Sequence, residues 1–74
     1  MDWKEKKFLV FGAGISGIAA CELLLKQGIE VVLFDGKKSL DTTVIREKSP
    51  QLKEVPIYVG ELPEEELKTI HIAV

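Results

Sequence analysis

The feature that most constrains this chain is the turn Gly12-Ala13-Gly14-Ile15-Ser16-Gly17, a G-x-G-x-x-G set between an apolar run (Phe8 to Phe11) and a helical pattern (Ser16 to Gln27). Gly12 permits a sharp turn off the strand. Gly14 lets a backbone approach a diphosphate, and Gly17 lets helix and strand pack closely. The first amides of the new helix have no intrahelical partner and sit at the positive end of its dipole, so they attract an anion. Taken alone the pattern is weak, and a glycine turn used only for tight packing would look the same. Its setting strengthens it. Asp35 ends the next apolar run 18 residues after Gly17, close to the roughly 20 expected for an acid that holds a ribose.

Seventy-four residues make one small domain at most, and a chain of that size buries only about 60% of its unfolded surface. Hydrophobic residues at 46% and charged residues at 30% exclude disordered and membrane classes. A net charge of −2 gives no electrostatic case for nucleic acid or anionic lipid. The single Cys21 cannot close an internal disulfide, and its helical position suits a small core residue in a reducing cytoplasm. The charged amino terminus leads into too few apolar residues for a signal peptide or a membrane span. A cytoplasmic protein is expected.

In chain order, Trp3 is expected to pack over one end of the sheet. Phe8–Phe11 reads as a parallel strand buried on both faces. In the helix, Ser16 is the expected cap. Ile15, Ile18, Ala19, Cys21, Leu23, Leu24 and Leu25 form its apolar face, and Glu22, Lys26 and Gln27 point outward. Gly28 is the stop signal. Ile29–Phe34 is the second strand, completing a right-handed βαβ unit, and Asp35-Gly36-Lys37-Lys38 leaves it on the same rim as the glycine turn. Leu40–Lys48 reads as a short helix capped by Ser39 or Asp41 and stopped by Pro50, although Thr42-Thr43-Val44-Ile45 is a β-branched run that disfavours helix. Val55–Val59 is a third strand, with Pro56 assigning it to an edge. A brief helix follows Pro63, where Glu61, Glu64, Glu65 and Glu66 read as solvated charges rather than a metal or acid–base cluster. Thr69–Val74 is a fourth strand, and its lone His71 reads as structural. The expected fold is therefore α/β: a Rossmann-like open parallel sheet in the order 3-2-1-4 with helices on both faces, truncated after the fourth strand. The chain is read as the single, incomplete amino-terminal domain of a longer protein. Its open Ile70–Val74 edge is expected to drive self-association.

Three protein classes share such a turn: nicotinamide dehydrogenases, flavin oxidoreductases, and ligases that use the fold for a UDP-sugar. Gly12–Ala20 looks much like the start of flavin amine oxidases, but those continue with Glu and a Gly-Gly-Arg segment, where this chain has Asp35-Gly36-Lys37-Lys38. The whole chain resembles the amino-terminal domain of the D-glutamate-adding Mur ligases of peptidoglycan synthesis. The resemblance rests on the lysine-flanked first strand and on G-x-G-x-S-G-x-A-A at Gly12–Ala20. Leu23-Leu24-Leu25-Lys26-Gln27-Gly28, Asp35-Gly36-Lys37 and Tyr58-Val59-Gly60-Glu61-Leu62 follow in register.

The resemblance implies an ATP-dependent amide ligase of three domains. In it, the alanyl carboxylate of UDP-N-acetylmuramoyl-L-alanine is activated as an acyl phosphate and attacked by the amine of D-glutamate. ATP, Mg2+ and the catalytic groups belong to later domains. The chain has no G-x-x-x-x-G-K-[ST] of its own, so no cofactor and no catalytic residue is assigned to it. Its implied share is the UDP moiety. The amides of Ile15, Ser16 and Gly17 with the Ser16 hydroxyl would hold the diphosphate, which Gly14 lets approach the backbone. Asp35 would accept from uracil or ribose, Gly36 would expose its backbone to the uracil, and Lys37 would reach a phosphate or the nucleoside edge where the family often has Arg. The alternatives are an FAD- or NAD(P)-binding domain of an oxidoreductase, with Asp35 on the adenosine ribose, and a scaffold module without a ligand.

Overall fold

A computed structural model describes residues 5–74; Trp3 lies outside them. Four strands form one parallel sheet in the order β3-β2-β1-β4: β1 Lys7–Phe11, β2 Glu30–Asp35, β3 Ile57–Val59 and β4 Ile72–Ala73. Three helices connect them, α1 Ile15–Lys26, α2 Thr42–Lys48 and α3 Glu64–Leu67. The order follows from crossover handedness. Two right-handed crossovers move the chain from β1 to β2 to β3 with α1 and α2 on one face; the third returns past β1 to β4 and must place α3 on the other.

Side-chain alternation separates the two faces. Phe8, Val10, Val31 and Leu33 point to the α1–α2 side, where they form one core with Cys21, Ile29, Ile45, Leu52 and Val55. Each fully buried aliphatic side chain of this kind contributes about 1.5–3 kcal/mol. Lys7, Leu9 and Phe11 on β1, with Glu30, Val32 and Phe34 opposite them on β2, occupy the second face. There Glu66 of α3 reaches Lys7 and Tyr58. Beyond α3 that face is more open, and Phe11, edge-to-face with Phe34 at 5.8 Å, is 57% exposed.

Several local expectations need correction. The cap of α1 is Gly14, not Ser16, whose hydroxyl makes no capping bond; α1 begins at Ile15, which places Ser16 already inside the first turn. The core stripe of α1 is Ile18, Ala20, Cys21, Leu24 and Leu25. Ile15 at 91%, Leu23 at 61% and Ala19 are exposed. At 100° per residue, all three lie about 120° or more around the helix from Cys21. Glu22 does not point freely outward: it accepts a 2.5 Å hydrogen bond from the hydroxyl of buried Ser49.

Past α1 the stop signal holds. The Gly28 and Ile29 amides bond back to the Leu25 and Leu24 carbonyls, closing a Schellman motif. The β-branched run Thr42–Ile45 is helical because Asp41 caps it, its Oδ1 accepting the Thr43 amide at 2.9 Å, and because Ile45 is buried. Ser39 plays no part in that cap. Pro50 both ends α2 and opens a 3-10 turn over Pro50–Leu52 that drives Leu52 into the core. Arg46 Nη1 ties the turn to α2 by donating to the Leu52 and Lys53 carbonyls. Val55 is therefore buried before β3 starts at Ile57. Pro56 precedes β3 on the sheet edge, its carbonyl accepting from the Leu33 amide.

Candidate functional site at the carboxyl rim of the sheet

At the end of β1 the chain turns at Gly12, whose φ of +92° belongs to the left-handed region that favours glycine. Gly17 answers for the closeness of helix and strand. A Cβ there would stand 1.7 Å from the Gly12 carbonyl oxygen, so only glycine lets α1 start directly above the turn. The first α1 ladder bond runs from the Ile18 amide to the Gly14 carbonyl at 3.0 Å. The amides of Ile15, Ser16 and Gly17 precede that ladder, and Gly14, Ile15 and Ser16 are exposed. They are ready donors to an anion.

Asp35, the last residue of β2, sits beside this turn. Its Oδ2 accepts the Ala13 amide at 2.8 Å and its Oδ1 the Lys37 amide at 2.9 Å. These two bonds, the Ala13 one foremost, hold its carboxyl below the usual carboxylate range, with the Lys37 charge adding to them. The main-chain oxygen of Asp35 accepts from the Gly60 amide at 2.8 Å, joining the β3–α3 loop to the same rim. A cleft of about 350 Å³ opens between the start of α1 and the start of α2. Ala13, Gly14, Ile15 and Ile18 line one wall, Leu40, Val44 and Ile45 the other, with Lys37 and Lys48 supplying positive charge. Among the described residues there is no cluster of three or more His, Cys, Asp or Glu side chains that could hold a metal, and no helix long and apolar enough to cross a membrane.

The family model for NAD(P)-binding Rossmann-like domains matches residues 10–53, the span from the end of β1 to the 3-10 turn. The chain belongs to the NAD(P)-binding Rossmann-like family. Over its whole length this Rossmann-like domain is 37% identical to a UDP-N-acetylmuramoylalanine–D-glutamate ligase of Caldanaerobacter subterraneus subsp. tengcongensis and 40% identical to that of Lachnospira eligens. It is 38% identical, over 88% of its length, to the ligase of the same name from Lachnoclostridium phytofermentans. The similarity to D-glutamate-adding Mur ligases read from the residues is thus shared by named relatives. The domain spans about a sixth of the length of the first two, 16% of each. No solved structure matches it.

Of the residues singled out in the sequence, Gly14, Ile15 and Lys37 line the cleft of this Rossmann-like domain. Ser16, Gly17, Asp35 and Gly36 do not. Ser16 is exposed, Gly17 is pressed against Gly12, and Asp35 faces the backbone of the two loops. Ala13 and Lys48 are the rim residues that sequence reasoning missed. Ala13 is invisible to a motif search because it acts through its amide. Lys48 had a signal, since Asp41, Val44, Ile45 and Lys48 recur at helical spacing and so share one face of α2.

Proposed function

We propose that this domain binds the UDP moiety of UDP-N-acetylmuramoyl-L-alanine within an ATP-dependent ligase that adds D-glutamate in peptidoglycan synthesis. ATP, Mg2+ and the reacting groups are held by parts of that protein beyond these 74 residues. The supporting observation is the row of Ile15, Ser16 and Gly17 amides lying ahead of the α1 ladder, on the same rim as Asp35, Gly36 and Lys37. In this reading the amides and the Ser16 hydroxyl meet the diphosphate. Lys37 and the exposed backbone of Gly36 lie at the nucleoside side. The names of the relatives favour a UDP-sugar over a redox cofactor.

The second reading, an NAD(P) or FAD site, is favoured by the family match across residues 10–53. It asks Asp35 to receive the two hydroxyls of a ribose with the lone pairs left after each carboxylate oxygen has accepted a backbone amide. Calorimetric titration of the intact protein with UDP-N-acetylmuramoyl-L-alanine, NADH and FAD separates the two. Saturable binding of the UDP-sugar is expected, and saturable binding of a redox cofactor without it overturns the proposal. The proposal extends to pairing of two copies along the outer edge of β4, which has no strand beside it among the described residues. A monomeric mass by light scattering counts against that extension.

A further inference from the structure

We propose that Glu22 and Ser49 are positioning residues for the nucleotide: the hydrogen bond between them sets how far the α2 wall of the cleft stands from the α1 wall, and so how the cleft fits the nucleoside end of the ligand. This rests on the reading of the site given above. Both helices leave the carboxyl rim and run down the same face of the sheet, and the cleft opens between their first turns, with Ile18 on one wall and Ile45 on the other. Side chains four residues apart share a helix face. Glu22 therefore follows Ile18 one turn further down. Ser49 follows Ile45 in the same way, its amide closing that turn onto the Ile45 carbonyl at 3.0 Å. There the two sides meet: the Ser49 hydroxyl donates to Glu22 Oε2 at 2.5 Å. Glu22 stands 7 residues past Ile15 and Ser49 7 past Thr42, so the bond crosses the gap at one depth, about 10 Å from the start of each helix.

Among the described residues this is the one hydrogen bond that joins α1 to the α2 segment. Cys21, Ile45 and Leu52 also meet in the core beneath the cleft, but apolar contact is non-directional. The bond from a hydroxyl to a carboxylate is short, charge-assisted and directional. Ser49 is the one buried polar residue among those described, at 2% exposed, so its hydroxyl has little access to water in place of Glu22. Lys48, which lines the cleft, immediately precedes it; where Ser49 is held, the backbone of Lys48 is held too. The Ile15–Gly17 amides belong to α1 itself and do not depend on where α2 stands.

Ser49→Ala removes the donor and Glu22→Ala the acceptor, while Glu22→Gln keeps an acceptor oxygen for the hydroxyl. Affinities of the intact protein for UDP and for inorganic diphosphate are measured in each form. Either alanine variant should weaken UDP binding by about tenfold, near the lower end of what a hydrogen bond to a charged group is worth, and leave diphosphate binding unchanged. The loss should fall on KM for the UDP-substrate more than on kcat, and Glu22→Gln should restore most of the affinity. The double alanine variant should bind UDP no more weakly than either single one, because both remove the same bond. A bond that served stability alone would not separate UDP from diphosphate. Undiminished UDP binding in the folded alanine variants overturns the proposal, as does an equal loss of diphosphate binding. If Ser49→Ala does not fold, Glu22→Ala and Glu22→Gln, at a half-buried position, decide the matter. If the unaltered protein does not bind UDP, the reading of the site fails and takes the proposal with it; UDP binding that the variants leave intact sinks the proposal alone.

Discussion

The two ends of the sheet each carry a carboxylate held in its charged form, and they use it in opposite ways. At the amino end, Glu66 of α3 is 18% exposed, with Oε1 2.5 Å from the Lys7 ammonium, itself 16% exposed, and Oε2 accepting from the Tyr58 hydroxyl at 3.1 Å. Lys7 also lies 3.5 Å from Glu30, and its backbone amide donates to His71 Nδ1 at 2.9 Å. These partners are side chains of the protein itself, and they close on one another. At the carboxyl end, Asp35 takes backbone amides instead: its carboxylate accepts those of Ala13 and Lys37, and its main-chain oxygen accepts that of Gly60. The amino-end carboxylate consumes local hydrogen-bonding capacity to hold α3 on the second face. The carboxyl-end one ties together the loops after β1, β2 and β3. A charged residue in a small domain thus shows its role by what its partners are left free to do.

The largest expected effect falls on the carboxyl end. Gly17→Ala puts a methyl against the Gly12 carbonyl, a backbone collision that no rotamer relieves. It should cost about 3 kcal/mol in chemical denaturation and abolish UDP binding; a stable variant with intact affinity would break the account of the turn. At the amino end, Lys7→Met keeps the aliphatic stem but strands Glu66, and should cost about 1–2 kcal/mol while leaving UDP affinity unchanged. A change in affinity would erase the contrast between the two ends.

Acid titration sharpens the comparison. Glu66, held down first by its bond to Lys7, and Asp35, held down first by the Ala13 amide, both have folded values below their unfolded ones. Their contributions are therefore complete above about pH 4 and disappear as pH falls through the lower folded values. The acid limb of a stability profile should flatten in Glu66→Gln, and an unaltered limb would contradict the ion pair. On the alkaline side, burial pushes the Cys21 thiol up to about 11. The stability it carries is full below its unfolded value of about 8.5 and falls as pH rises towards the folded one. The smallest expected effect is Ser16→Ala, within about 0.5 kcal/mol, because its hydroxyl makes no cap; a loss near 1 kcal/mol would restore the capping role.

The sheet order and the place of the glycine turn were legible because apolar runs, glycine spacing and crossover handedness act over short stretches. Pro56 correctly marked the edge strand, and His71 entered the β1–β4 junction as a structural acceptor. What sequence could not show depends on contacts across the chain. Glu66 reads as one of four exposed acids until Lys7 and Tyr58 are brought beside it, 59 and 8 residues away. The β-branched run Thr42–Ile45 weighs against the helix expected over Leu40–Lys48, and only the Asp41 cap and the burial of Ile45 in the core outweigh it. Ile15 and Leu23 read as core residues until the helix phase is fixed by Cys21 against β2. The role of Ala13 lies in an amide, which side-chain identity does not encode.

The central claim is that the amides opening α1 are the diphosphate-binding surface of a UDP-substrate site. Backbone amide resonances of the intact protein, followed while UDP-N-acetylmuramoyl-L-alanine is added, test it most directly. The account predicts saturable shifts at Ile15, Ser16 and Gly17, with Lys37 moving alongside. Saturation that leaves those four resonances in place would contradict it.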